Sequence, residues 1–200
     1  MTRRFNNPLY QAMFLGLAWI GYFIPWTQTS NTVLNMGGYD LAEWTSLHPL
    51  THSTPLPYTT TILIRLPLLC ISLLSIISAS KINNGRWSAW LLVAILPIAM
   101  LPPLEFFTSA QTDPNYRQQF VLALILLLLS LGIMINPKKR LVEAVWFGGA
   151  AIGITTLVIS VVAALDLMGT THLEIRLGMG VILSAGALTG AMLTNKKQGA

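Results

Sequence analysis

The sequence predicts an all-α integral membrane protein of six transmembrane helices, with a short amphipathic interfacial helix in the first outer loop. Three observations predict it. Hydrophobic residues make up 54% of the chain, against 12 basic and 7 acidic side chains in 200 residues. So little polar surface cannot cover a soluble globule of this size. Apolar runs close to the roughly 17 to 25 residues that cross about 30 Å of hydrocarbon recur along the whole length. These runs are continuous and do not alternate, which argues against the two-faced strands of a membrane barrel and for helices. The chain reads as one polytopic membrane domain, residues 1–200.

The first span covers approximately 9–26. It follows Arg3 and Arg4 in TRRF, the layout of a leader, but it closes in FIPWTQTS, bulky and without a small-x-small cleavage pattern. An uncleaved anchor is expected.

The longest loop follows, Thr27 to Thr60, and within it GYDLAEWTSLHP concentrates two acids, a tryptophan and a histidine. Gly37 and Gly38 supply a turn. Asp40 and Glu43, three apart, have capping-box spacing, in which the aspartate accepts from free backbone amides while the glutamate reaches back. Leu41, Trp44 and Leu47 form an apolar stripe, and Pro49 ends the helical geometry. An interfacial helix over approximately 41–47 results, with Trp44 at headgroup level. The competing readings of this loop are a docking surface for an extramembrane partner and a ligand site built from Asp40, Glu43, His48 and His52. Glu43 and His48 are five apart and leave a helix on different faces, and no metal-ligand spacing is present, so no metal is expected. His172, before the last span, is a third candidate. Haem or bacteriochlorophyll is the remote cofactor option for these histidines, and bound lipid the ordinary one.

The second span, 61–79, carries Arg65 near its outer end, Pro67, and the only cysteine, Cys70, which can form no internal disulfide. The third, 87–103, contains Pro97 and closes on Pro102 and Pro103, where a helix exit is expected. Glu105 lies just beyond. Arg65 either snorkels outward or pairs with Glu105; two unrelated interfacial charges are the equal alternative. The fourth span, 120–135, is leucine-rich and expected to face lipid or a partner. The fifth, 144–165, and the sixth, 175–193, carry small-residue pairs at a spacing of four, Gly149 with Gly153 and Gly186 with Gly190. Such pairs let helix backbones approach closely where lipid supplies no hydrophobic drive. The two spans are expected to form a tight hairpin.

Lysine and arginine orient the bundle. With the N terminus inside, nine of the twelve basic residues fall on the inner side, Arg65, Arg117 and Arg176 being the exceptions, and six of the seven acids fall outside. The positive-inside rule therefore places both termini in the cytoplasm of a multi-pass protein of the cell inner membrane. The net charge of +5 is an inner-face property, and without a basic patch interleaved with aromatics it does not indicate nucleic acid.

No GxSxG, HExxH, glycine-rich lysine loop or CxxC occurs, so no catalytic residues are assigned. No ionisable group is expected at mid-membrane, where one would mark an ion path. Two functional readings follow. The first is a non-catalytic integral subunit docking against larger membrane partners, such as an electron-transport or photosynthetic assembly. The alternative is a small transporter or channel with Arg65 and Glu105 as its polar feature.

Overall fold

The computed structural model describes residues 8–29, 35–53, 58–82, 86–136, 138–170 and 175–195. Six helices carry the apolar runs: α1 (Pro8–Phe23), α4 (Thr59–Ser80), α5 (Arg86–Ala99), α7 (Pro114–Ile135), α8 (Lys139–Gly169) and α9 (Met179–Asn195). Three shorter ones lie between them, α2 (Gly38–Leu47), α3 (Pro49–Ser53) and α6 (Glu105–Thr108). The all-α class fits. Three helices, α4, α7 and α8, are long and apolar enough to cross a membrane. The other apolar helices are shorter: at 1.5 Å per residue the 14 residues of α5 rise only about 21 Å, less than the roughly 30 Å of a hydrocarbon core. At the other extreme, the 31 residues of α8 outrun that thickness, and its C-terminal end meets α2.

α4 is the central helix. It packs against α1, α2, α5, α7 and α8, and most of its length is buried, including Ile64, Ile71, Leu74, Ile76 and Ile77. The outward surfaces of the surrounding helices remain apolar, among them Leu124 and Leu128 on α7 and Val158 and Val162 on α8. α5 ends at Ala99, three residues before Pro102, so the expected helix exit is where the prolines require it.

The sequence reading placed no strand in this chain, yet a small sheet is present. β1 (Thr27–Thr29) lies between β2 (Asn35–Met36) and β3 (Ile175–Leu177), antiparallel to both, with Thr27 opposite Met36 and Leu177. Around it Trp26 N donates to Met36 O at 2.8 Å, and Gly178 N to Trp26 O at 2.7 Å. Strands of two or three residues carry no detectable alternation, so periodicity could not reveal them. The sheet holds the end of α1 beside the start of α9. Trp26, at the end of the first expected span, is fully buried and donates its indole N–H to Gly21 O at 3.0 Å.

Helix pairing also departs from expectation. α9 packs most extensively along α1, and α8 along α4, while the α8–α9 contact is smaller. The close approach in the first pair is at Gly21, where an added Cβ would stand 2.5 Å from Ser184 Oγ and 2.6 Å from Ser184 N. Ser184 Oγ donates to Ala18 O across this crossing at 3.2 Å. In the second pair Gly153 faces Cys70, whose Cβ would lie 3.1 Å from a methyl at that position, and Gly149 faces Leu74. Gly190 packs under the Phe14 ring of α1, while Gly186 has open space beside it. Gly153 also lies close to Leu188 of α9, at 3.3 Å from an added Cβ, so the small-residue face of α8 meets both α4 and α9, while that of α9 meets α1 through Gly190; the expected hairpin between the last two helices is present but is the smaller contact. Spacing identifies a face, but it does not identify which helix lies opposite.

These pairings gather the C-terminal ends of α1 and α8 and the N-terminal ends of α4, α7 and α9 around α2 and the sheet. That end of the bundle forms a cap.

Candidate functional site

The cap is organised around one buried cation. Arg65 sits six residues into α4 and is 5% exposed, and among the described residues no other charged side chain is buried. A guanidinium held in a low-dielectric interior needs a partner of opposite charge and acceptors for its N–H groups. α2 supplies the partner. Glu43 Oε1 accepts from Arg65 Nη2 at 2.7 Å, the single close ion pair at the cap among the described residues. The same oxygen accepts from Gln119 Nε2 at 2.5 Å, and Oε2 accepts from Asn115 Nδ2 at 3.2 Å. Arg65 Nη1 reaches Asn115 O at 3.4 Å. One carboxylate therefore joins three elements, α2, α4 and α7.

Local sequence explains how each group arrives. Asp113 caps α7, accepting from Asn115 N at 2.8 Å and Tyr116 N at 3.1 Å, and Pro114 occupies the first turn, where its missing N–H costs nothing. Starting the helix there puts Asn115 and Gln119, four apart, on one face. α2 is held down by its other face. Leu41, Ala42, Thr45 and Ser46 are buried, and Thr45 Oγ1 lies 3.2 Å from Thr61 Oγ1 of α4. Thr51 Oγ1 donates to Thr45 O at 2.7 Å, folding α3 back onto α2. From α1, Tyr22 Oη donates to Ile64 O at 3.2 Å.

The structure corrects two expectations here. Arg65 pairs with Glu43 and not with Glu105, which is exposed on the four-residue α6. The capping box is not formed: the N-cap of α2 is Gly37 in an extended conformation without a side-chain cap, Asp40 is exposed in the first turn, and Glu43 turns toward α4 and α7. The physical reason is the same for both. A buried guanidinium requires a carboxylate on an element packed against it, which half-buried Glu43 supplies and exposed Glu105 does not; with Glu43 held there and α2 already begun at Gly38, Asp40 has no box to close. α2 is longer than expected, 38–47 against 41–47, and its apolar stripe divides: Leu41 is buried, Trp44 is half-buried and Leu47 is 79% exposed.

Of the three histidines, only the side chain of His48 is described. His48 Nδ1 accepts from Leu50 N at 3.3 Å, and its ring lies 5.1 Å from that of Trp44. His52 falls in α3, where its side chain is not described, and His172 lies outside the described residues. Among the described residues no three His, Cys, Asp or Glu side chains come together as a metal site.

A fourth span beginning at Phe120 leaves Asn115 and Gln119 in a loop, whereas α7 begins at Pro114 and includes both. Their spacing of four beside a Asp-Pro helix start was the available signal. Nor does spacing reveal a cavity of about 210 Å³ that opens against this network between α1, α4, α5 and α7. Arg65, Gln119 and Tyr39 form its polar wall, and Trp19, Leu68, Leu96 and Leu122 are among its apolar lining. Burial, reinforced by the nearby Glu43 carboxylate, pushes the Tyr39 hydroxyl above its ordinary range, so it remains a donor. All the lining helices contribute residues from the half nearest the cap.

Comparisons with protein-family models, with curated proteins and with solved structures each return no match.

Proposed function

We propose that the chain is a six-pass integral membrane protein, both termini cytoplasmic and the cap on the outer side, acting as a non-catalytic subunit that docks against other integral membrane subunits. The observation that carries this reading is how the buried charge is used. Arg65 is tied by Glu43, Asn115 and Gln119 into the packing of α2, α4 and α7, so it serves structure. The interior of the described spans otherwise holds no buried charge, and a proton relay through the bilayer would need titratable groups at intervals. Outward-facing apolar side chains on α5, α7 and α8 suit lipid and partner helices alike. Extraction in a mild detergent, followed by native mass spectrometry, tests the proposal. Stoichiometric co-purification of larger membrane proteins supports it, and a lone chain in every preparation contradicts it.

A transport role has one observation in its favour, the cavity beside Arg65. Its lining lies in one half of the bundle, so transport would require the opposite half to open. Proteoliposome flux that falls on Arg65→Ala, with folding retained, would favour this second reading.

A further inference from the structure

We infer that the cavity beside Arg65 is a binding site for the head group of an uncharged, carbonyl-bearing lipid-like molecule, whose apolar chain leaves through the mouth of the cavity toward the bilayer. The class of ligand follows from the polar wall. Arg65 has five N–H groups, and two of them find acceptors among the described residues, Glu43 Oε1 and Asn115 O. Gln119 Nε2 gives one hydrogen to Glu43 and has a second. Tyr39 adds a hydroxyl on the same wall. The wall is thus rich in donors, and an acceptor complements it.

Charge decides which acceptor. Glu43 stands 2.7 Å from Arg65 and already neutralises it. An anionic head would bring a second negative charge into an apolar enclosure, at a desolvation cost that the paired arginine no longer offsets. A neutral carbonyl accepts the same hydrogen bonds without that cost. Size gives the rest. About 210 Å³ is below the roughly 300 to 1,000 Å³ of sites that enclose a whole drug-sized ligand, so only a ring or ester head fits. Leu101 at its edge also borders a second cleft of about 290 Å³ between α5 and α7, lined by apolar side chains such as Val93, Ala123 and Leu127, which offers the chain a path.

Two natural sources share this chemistry, an isoprenoid-type quinone and an acylglycerol, and the experiment separates them. The full chain in dodecyl maltoside, a detergent without carbonyls, is titrated calorimetrically with decylubiquinone, with dioctanoylglycerol and with decanoate. We expect at least one neutral probe to bind saturably at one site, and decanoate to bind at least about tenfold more weakly. The probe that binds names the source. Ala99→Trp, at an exposed position on the cavity wall, should weaken binding at least about tenfold, and Tyr39→Phe, which removes one hydroxyl without changing shape, about three- to tenfold. Tyr39→Phe keeps the test decisive if Ala99→Trp does not fold. The inference is overturned if neither neutral probe binds at about 100 μM, if decanoate binds more tightly than both, or if Tyr39→Phe binds as the natural chain does.

Discussion

Replacing Glu43 by alanine removes the acceptor on which three buried donors converge. Arg65, 5% exposed, would lose its counter-charge, and Asn115 Nδ2 and Gln119 Nε2 would lose their acceptor. Removing one partner of a fully buried ion pair costs about 3 to 5 kcal/mol. The Glu43 side chain is 34% exposed, so water can enter the vacated space and solvate part of the guanidinium. The expected loss is therefore about 2 to 4 kcal/mol. For a chain of this length each kcal/mol moves the unfolding midpoint by about 2 to 4 °C, so the midpoint should fall by about 4 to 16 °C. The assay is thermal unfolding in one detergent, followed by tryptophan fluorescence. Glu105→Ala serves as control and should leave the midpoint within about 1 °C, because an exposed charge contributes little. The double variant Glu43→Leu with Arg65→Met should recover the part of the loss that comes from the unpaired charge, since apolar groups of similar volume commonly replace a buried pair without penalty, while Asn115 and Gln119 still lack their acceptor. Glu105→Ala as damaging as Glu43→Ala, or a double variant worse than Glu43→Ala alone, would refute the reasoning.

The glycine contacts give an opposed pair: Gly21→Ala forces a methyl against Ser184 and should cost about 1 to 3 kcal/mol, whereas Gly186→Ala meets open space and should gain up to about 1 kcal/mol from helix propensity, both read as shifts in the same melting assay. Lys81, the C-cap of α4, lies over the Trp146 ring at 4.5 Å, and burial, partly offset by Glu143, lowers it from the ordinary 10.5. The unfolded chain then holds this proton to higher pH than the folded chain, so stability should rise as pH approaches 10.5 from below, and Lys81→Met should flatten that rise in a pH series of melts. A Lys81 titration at or above 10.5, read by NMR of isotopically methylated lysines, would contradict it.

Much of the architecture was legible because the bilayer imposes a coarse pattern. Runs such as FVLALILLLLSLGIMI predict a helix whatever it packs against, and each of the six expected runs overlaps a helix of the structure, although the first and third overrun α1 and α5 and the sixth begins in β3. What escaped depends on which segments meet. Nothing local in Gln28 marks it as a partner of Asn35 and Arg176. Glu43 and Gln119 are 76 residues apart, and the local capping pattern at Asp40 offered a plausible use for Glu43 that burial of Arg65 overrides. Likewise Gly153 and Gly190 are close-packed as their spacing suggests and Gly186 is not, and the helices they meet, α4 with α9 for Gly153 and α1 for Gly190, are set by the tertiary arrangement. Arg65 itself was singled out because a cation inside an apolar run must be answered from somewhere in the fold. Where the answer came from could only be seen with α2 laid across α4 and α7.

Impermeant thiol labelling in intact cells tests the six-pass arrangement most directly. In a Cys70→Ala background, which removes the chain's only thiol, single cysteines are placed at exposed Leu47 in the cap and at exposed Lys139 at the opposite end. The account predicts that Leu47→Cys is labelled from outside, whereas Lys139→Cys is labelled only after the membrane is permeabilised. Labelling of both from the same side, or of Lys139→Cys alone from outside, would contradict it.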